Sequence, residues 1–248
     1  MTDIGFAPAV LSQLDEDRFG VRTARCMSIT ADLLPQVMDF CHTRQVRFLI
    51  ARCSTQDLTA AQSMENLGFS LMDTLVYFRR DLARPPLPER REVPIRYAGP
   101  EDVEAVGQIA RQAFQGYDGH YHADARLDRA ACDDLYVDWA MRSCSQKDLA
   151  DEVLIAEPAG ELLGFLTLKR LETGDADGRL YAVAPRAQGS GIGQALLVNG
   201  LYWCQEQGLQ GMVISTQITN LASQVSWARV GFIPHRSFYT FHKWIEED

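Results

Sequence analysis

Gln188-Gly189-Ser190-Gly191-Ile192-Gly193 is a glycine-rich stretch that lies between a run with strand composition and a run with helical spacing. Leu180 to Val183, just before it, has the composition of a strand, and Gln194 to Gln207, after it, has the apolar spacing of a helix. Glycine at every second position leaves backbone N–H groups open to an anion. The start of a helix adds the positive end of its dipole. The stretch therefore predicts a phosphate site at a helix N-terminus.

The spacing of the glycines selects among phosphate motifs. A dinucleotide fingerprint, G-x-G-x-x-G, begun at Gly189 would need glycine where Gln194 stands, and the triphosphate loop would need Lys followed by Ser or Thr. The pattern Q/R-x-x-G-x-G/A fits at Gln188, Gly191 and Gly193. It resembles the coenzyme A loop of the GNAT N-acetyltransferase superfamily. A plain strand-to-helix turn, with glycines that pack the helix, is the alternative.

A second block supports the resemblance. Asn220, Trp227 and Gly231-Phe232 match the spacing of a C-terminal pattern of the superfamily, which has Tyr where this chain has Trp227. The resemblance implies a GNAT fold of the α/β (α+β) class, with a mixed, mostly antiparallel sheet flanked by helices.

Composition and charge narrow the class of protein. The chain has 248 residues, of which 46% are hydrophobic and 23% charged, as in globular proteins. Residues 1–10 lack the basic head and apolar body of a signal peptide, and no run reaches the length of a membrane span. The net charge of -9 argues against nucleic acid as a partner. We expect a cytoplasmic protein that binds neither membrane nor nucleic acid, with a homodimer left open.

The cysteines show no C-x-x-C pair and no metal-ligand spacing with the histidines. We therefore expect reduced packing residues and no metal. The six are Cys26, Cys41, Cys53, Cys132, Cys144 and Cys204.

Residues 84–92 contain three prolines among charged residues, which is typical of an extended connector. They divide the chain into a predicted N-terminal domain, 1–83, and a catalytic domain, 93–248. The Leu67-Gly68-Phe69 block recurs as Val230-Gly231-Phe232, 163 positions later, with strand-like residues after each. We infer a duplicated half-domain whose first, truncated GNAT-like copy lacks the glycine loop. Two independent helix-glycine-strand units are the alternative.

The two-part layout narrows the resemblance to GNAT enzymes of the TDP-fucosamine (TDP-4-amino-4,6-dideoxygalactose) acetyltransferase type. It implies acetyl transfer from acetyl-CoA to the amine of a nucleotide-linked deoxyamino sugar, for polysaccharide biosynthesis. Another small amine, a protein amine, or a non-catalytic acyl-CoA sensor are the alternatives. The residues that carry this resemblance are Phe19-Gly20, Leu67 to Phe69, His120 to Trp139, Thr216-Gln217, Asn220 and Tyr239.

The superfamily implies roles for individual residues in holding acetyl-CoA. The backbone N–H of Val183 would polarise the thioester, and Asn220 would contact the pantetheine arm. Arg186 is a candidate for additional charge beside the phosphates, or a solvated turn residue. The expected pyrophosphate ligands are Gln188, Gly189, Ser190, Gly191, Ile192 and Gly193.

Trp227 leaves the identity of the general acid open, because an indole N–H donates a hydrogen bond but does not deliver a proton as a phenol does. Either Trp227 lines the thioester channel while water protonates the thiolate, or Tyr239 substitutes, or catalysis has been lost. Tyr239 is a candidate on a predicted C-terminal strand near the channel, with a core or rim aromatic as the alternative.

The segment Gly116 to Asp124 is expected to build the acceptor pocket. His120 and His122 are candidate acceptors of the amine proton and would share one face of an extended segment. An exposed loop, or a metal site of His120, His122 and Asp124, are the alternatives.

Overall fold

The computed structural model describes residues 9–84 and 86–246. Its strands are β1 (Val10–Leu11), β2 (Thr23–Cys26), β3 (Phe48–Ser54), β4 (Ser70–Asp81), β5 (Ile95–Tyr97), β6 (Glu152–Ala156), β7 (Gly164–Arg170), β8 (Asp175–Val183), β9 (Gly211–Gln217) and β10 (Ile233–Trp244). Its α-helices are α1 (Gln13–Phe19), α2 (Leu34–Thr43), α3 (Leu58–Asn66), α4 (Val103–Ala113), α5 (Arg129–Ser143), α6 (Ile192–Glu206) and α7 (Leu221–Arg229). Within the described ranges, none of these helices is both long and apolar enough to span a bilayer.

The chain divides into two compact units. Unit 1 combines the residues up to Leu75 with 118–131 and those from Arg236 onward, and unit 2 comprises 76–117 and 132–235. These bounds differ from the domains expected at 1–83 and 93–248, because the C-terminal strand β10 pairs with β3 in unit 1.

Unit 1 contains the strand order β1-β2-β3-β10. β2 and β3 are parallel, whereas β1 and β10 pair antiparallel to their neighbours. Apolar side chains of β2, β3, α2 and α3 form one core, which also takes Phe241 from β10.

Unit 2 contains the order β4-β9-β8-β7-β6-β5. β8 and β9 are parallel, and the pairs from β8 through β7 and β6 to β5 are antiparallel. α6 supplies much of the core through Ile192, Leu196, Leu197 and Leu201. The expected mixed, mostly antiparallel sheet with flanking helices is confirmed.

The strand predicted at 180–183 lies within β8, and the helix predicted at 194–207 corresponds to α6. β6 and β7 form a hairpin, and α4 follows a short 3₁₀ turn at Pro100–Asp102. α5 was not predicted, because its apolar residues are spread around the helix instead of forming one stripe. All six cysteines are free, and all but Cys144 are buried, as expected of packing residues.

The duplication extends beyond the Gly-Phe blocks. β3, α3 and β4 match β9, α7 and β10 in length and bounds at the offset that separates Gly68 from Gly231. Asp57 and Asn220 cap the two helices by accepting the N–H of Ala60 and Ser223 respectively. Both glycines adopt positive φ, 73° and 87°, which favours glycine over residues with a Cβ. Equivalent caps and turns support a repeated unit over two unrelated ones.

The two copies exchange their last strands. In unit 1, β3 of the first copy pairs with β10 of the second. In unit 2, β9 of the second copy neighbours β4 of the first.

The expected connector is packed against unit 2. Residues 86–92 form neither helix nor strand, yet Leu87 contacts the unit 2 core. Buried Arg80 donates to the carbonyl oxygen of Pro86 at 2.9 Å, and Arg90 pairs with Glu206 at 3.1 Å. The buried contacts of Leu87 and Arg80 hold the connector against unit 2, whereas the Arg90–Glu206 pair is exposed and contributes little.

The packing of β10 in the unit 1 core leads to a prediction about stability. Phe241 in β10 is fully buried in the unit 1 core, so Phe241→Ala should lower the free energy of unfolding by about 3–5 kcal/mol in urea titrations followed by circular dichroism. Ile233, in the same strand, is 48% exposed, and Ile233→Ala should change it by less than about 0.5 kcal/mol. Equal losses in the two variants would contradict this packing.

Candidate functional site

One extra residue bends β8 away from its parallel neighbour. Leu166 pairs with Tyr181 and Leu168 with Gly178, so two steps along β7 match three along β8. The N–H of Leu180 donates to the side-chain oxygen of Thr167 at 2.9 Å instead of to a backbone carbonyl. This is a β-bulge, which increases the bend and twist of its strand.

β8 and β9 part directly after the bulge. Their pairing ends at Gly178 and Ile214, although β8 continues to Val183 and β9 to Gln217. The N–H of Ala184 donates to Leu163 on the β7 side at 2.8 Å. Because successive residues of a strand direct their N–H groups to opposite sides, the N–H of Val183 faces the opening. The opening therefore has a backbone donor on its β8 wall.

The glycine loop follows at the end of β8. A 3₁₀ turn at Pro185–Ala187 leads to Gly189 and Gly191, which have φ of 80° and 91°. Gly191 is the N-cap residue of α6, and no side chain caps this helix. The first-turn N–H groups thus have no partner within the helix and can donate hydrogen bonds to a bound anion.

Gly193 has a packing role that its motif position does not reveal. A Cβ at this residue would overlap the hydroxyl of Tyr181, which projects from β8 toward the first turn of α6. Burial raises the pKa of Tyr181 to about 12, with a partly opposing hydrogen bond from Ser226. The phenol therefore stays protonated at neutral pH.

Polar side chains gather where β9 ends. Tyr117 donates to the amide oxygen of Gln217, and both Thr216 and Gln217 are buried. Asn220 donates to Thr216 Oγ1 at 2.9 Å and accepts the Ser223 N–H at 3.2 Å. Asn220 thus fixes the start of α7 and uses one side-chain N–H for Thr216.

Trp227 lies in the core of unit 2. Its ring meets Phe78 edge to face with centroids 5.6 Å apart, and the residue is 3% exposed. Among the described residues its indole nitrogen has no hydrogen-bond partner. A buried donor without an acceptor costs free energy, so Nε1–H is available to an incoming acceptor.

Arg186 is exposed and pairs with Glu161. The expected charge beside the loop is therefore partly neutralised at this residue.

His120 belongs to a buried hydrogen-bonded chain in unit 1. His242 Nδ1 lies 2.8 Å from Asp124 Oδ2, and His242 Nε2 lies 2.9 Å from His120 Nδ1. Burial raises the pKa of Asp124, but hydrogen bonds from His242, Trp244 and the Arg126 N–H together lower it. Ionised Asp124 accepts the His242 Nδ1–H, and His242 Nε2 and His120 Nδ1 share the second hydrogen bond of the chain.

The segment that contains His120 is not extended, so the expectation that His120 and His122 share one face is wrong. Gly119 accepts the N–H groups of both His122 and Ala123, which form a tight turn. His120 is buried, and His122 is half-buried. Asp124 binds His242, and no cluster of three or more metal-ligating side chains occurs in the described ranges.

Tyr239 lies on β10 opposite Cys53 and packs against the unit 1 core. The structure thus places Tyr239 and His120 in unit 1, and Val183, the glycine loop, Asn220 and Trp227 in unit 2.

An opened parallel strand pair, followed by a glycine loop and a bare helix N-terminus, defines the GNAT class of fold. A family model for the Acetyltransferase (GNAT) family matches residues 103–232, and the chain belongs to this family. It is 27% identical over 201 residues to the spore coat polysaccharide biosynthesis protein SpsD of Bacillus subtilis, covering 79% of this chain and 66% of that protein. It is 32% identical over 192 residues to the mycothiol acetyltransferase of Tsukamurella paurometabola, covering 72% of this chain and 62% of that protein.

The chain spans about two thirds of the length of these relatives. A solved structure, the GCN5-related N-acetyltransferase from Sphaerobacter thermophilus, has a similar fold, with a TM-score of 0.65 at 17% identity. That match covers 97% of this chain and 78% of the other.

The buried histidine chain predicts acid sensitivity. Burial and the surrounding cations lower the pKa of His120 well below 6.5, so below about pH 6.5 the unfolded chain takes up a proton that the folded chain does not. Urea midpoints should fall from pH 7.5 to pH 5, and His120→Gln should flatten that fall. An equal slope in both proteins would contradict the assignment. The groups that face His120 are His242, Arg52, Arg25 and His122.

The contact between Gly193 and Tyr181 predicts a coupled pair of substitutions. Gly193→Ala should destabilise unit 2 by about 1–3 kcal/mol through overpacking. Tyr181→Phe removes the overlapping oxygen, so the double variant should regain part of that loss in urea titrations. Strictly additive losses would mean that the two residues do not meet.

Proposed function

We propose that this protein transfers an acetyl group from acetyl-CoA to the primary amine of a nucleotide-linked deoxyamino sugar. The observation that carries the acyl-CoA part is the parting of β8 and β9 beside the glycine loop. An extended acyl-pantetheine chain needs such an opening between strands, and its pyrophosphate needs free N–H donors.

The first copy provides an internal comparison. β2 pairs with β3 through its last residue, where Cys26 matches Ala51, so this parallel pair has no opening. α2 begins with Leu34-Pro35, and a proline at Pro35 removes one N–H from its first turn. Of the two copies, the second has the features that acyl-CoA requires.

The proposed roles follow from the groups at the opening. Acetyl-CoA supplies a thioester whose carbonyl carbon accepts the amine and whose sulfur leaves as the thiol. The N–H of Val183 is directed to donate to the carbonyl oxygen, where negative charge develops. Gln188 to Gly193 supply backbone donors for the pyrophosphate, and Asn220 stands at the end of the facing strand. We assign Trp227 Nε1–H as a hydrogen-bond donor in the thioester channel.

The reaction also needs a group that takes the proton from the amine and a group that protonates the thiolate. His120 is a predicted acceptor of the proton from the attacking amine, and the burial that lowers its pKa makes it a weak base. His122 and Tyr239 stay predictions for this step. The high pKa of Tyr181 makes its phenol a hydrogen-bond donor instead of an acid.

The proposed identity of the acceptor is inferred from the names of two relatives. The name of SpsD places that protein in polysaccharide biosynthesis, which favours a sugar amine as the acceptor here. The second candidate is another small amine, favoured by the 32% identity to a mycothiol acetyltransferase. A cytoplasmic location and a small-molecule acceptor belong to the same proposal.

Acceptor-dependent release of coenzyme A thiol from acetyl-CoA tests the function. TDP-4-amino-4,6-dideoxygalactose should give saturable initial rates, and the same sugar nucleotide without an amine should give only the background rate. Release with a different small amine alone would select the second candidate. Acetyl-CoA binding without release on any amine would favour the sensor.

Gly191→Val tests the role of the loop. The φ of 91° at Gly191 strongly disfavours a β-branched residue, so the loop should change its backbone path and acetyl-CoA binding should fall below detection by calorimetry. Undiminished affinity would overturn the assignment of the loop.

A further inference from the structure

A guanidinium group from the connector lies against the glycine loop. Arg91 Nη1 is 2.7 Å from the position that a Cβ would take on Gly191, the N-cap residue of α6. Arg91 Nη2 donates to the side-chain oxygen of Gln194, in the first turn of the same helix. The hydrogen bond to Gln194 holds this exposed side chain over the start of α6.

The charge at this position is unusual for a helix start. The N-terminus of a helix carries partial positive charge, which favours anions and disfavours cations. In the described part of the chain Arg91 forms no ion pair with a carboxylate, whereas Arg90 pairs with Glu206 and Arg186 with Glu161. The loop therefore brings together two positive groups, and an anion between them would relieve their repulsion.

We propose that Arg91 binds a phosphate group of acetyl-CoA, so that the connector forms part of the co-substrate site. The inference rests on the proposed function. Backbone N–H groups of the glycine loop would hold the phosphate from the helix side, and the guanidinium would hold it from the connector side. A planar guanidinium offers paired donors that match two phosphate oxygens.

The connector is suited to this role because its path is fixed. Leu87 and Val93, on either side of Arg91, pack against the unit 2 core. Arg90, the adjacent residue, is directed elsewhere, with its guanidinium 4.4 Å from the Tyr202 ring centre. Adjacent arginines with the same charge thus have different surroundings, which makes Arg90 a matched control.

Calorimetric titration of the full chain with acetyl-CoA tests the proposal. Arg91→Ala should raise Kd by roughly 10-fold or more, as expected for loss of a charge-assisted hydrogen bond. Arg90→Ala removes the same charge from the same connector and should stay within about twofold of the unsubstituted protein. Arg91→Lys keeps the positive charge but not the paired donors of the guanidinium, so its Kd should lie between those of Arg91→Ala and Arg90→Ala. Thermal midpoints should agree among all four proteins.

The two phosphate sources are separated by a second ligand, acetyl-3′-dephospho-CoA. If Arg91 binds the pyrophosphate, Arg91→Ala should weaken both ligands by the same factor. If it binds the 3′-phosphate, only acetyl-CoA should lose affinity. An unchanged Kd in Arg91→Ala, or equal losses in Arg90→Ala, would overturn the role of Arg91 alone. No binding of acetyl-CoA by the unsubstituted protein would overturn the proposed function itself.

Discussion

The candidate site depends on the bulge in β8, a strand that pairs antiparallel with β7 on one side and parallel with β9 on the other. The extra residue between Gly178 and Tyr181 keeps the pairing with β7 but bends the strand out of register with β9. Thr167 stabilises the bulge because its hydroxyl oxygen accepts the N–H of Leu180, which would otherwise lack a partner. The opening, the direction of the Val183 N–H and the position of the glycine loop all follow from this bend.

The two copies show how one architecture separates structural and ligand-binding roles. They share caps, turn glycines and strand lengths where α3 and α7 pack, since those features satisfy backbone groups that any copy must satisfy. They differ between the first parallel strand and the following helix, where β2 stays fully paired and α2 starts with proline. Unit 1 instead contains a buried chain in which His120 and Asp124, from the segment 118–131, meet His242 of β10.

Features that depend on residues close together in the sequence could be predicted from the sequence alone. The bounds of α3 and α7, the hairpin of β6 and β7 and the glycine loop all follow from caps, turns and periodicity. The bulge at β8 depends on the register with β7, although Gly178 inside a strand pattern was a signal for it. Arg91 was missed because a proline-rich, charged segment is typical of a solvated connector. The bond from His120 to His242 joins residues 122 positions apart, which no local pattern encodes.

The exchange of strands has a consequence for synthesis of the chain. Thr55, just after β3, contacts Ser237 of β10 across 182 positions. At roughly 5–20 residues per second, a ribosome needs about 10–40 s to supply that partner after β3 has been made. During this interval the edge of β3 has unpaired backbone groups, the kind of edge on which strands from other chains assemble. Unit 1 therefore cannot complete its sheet until β10 has been synthesised.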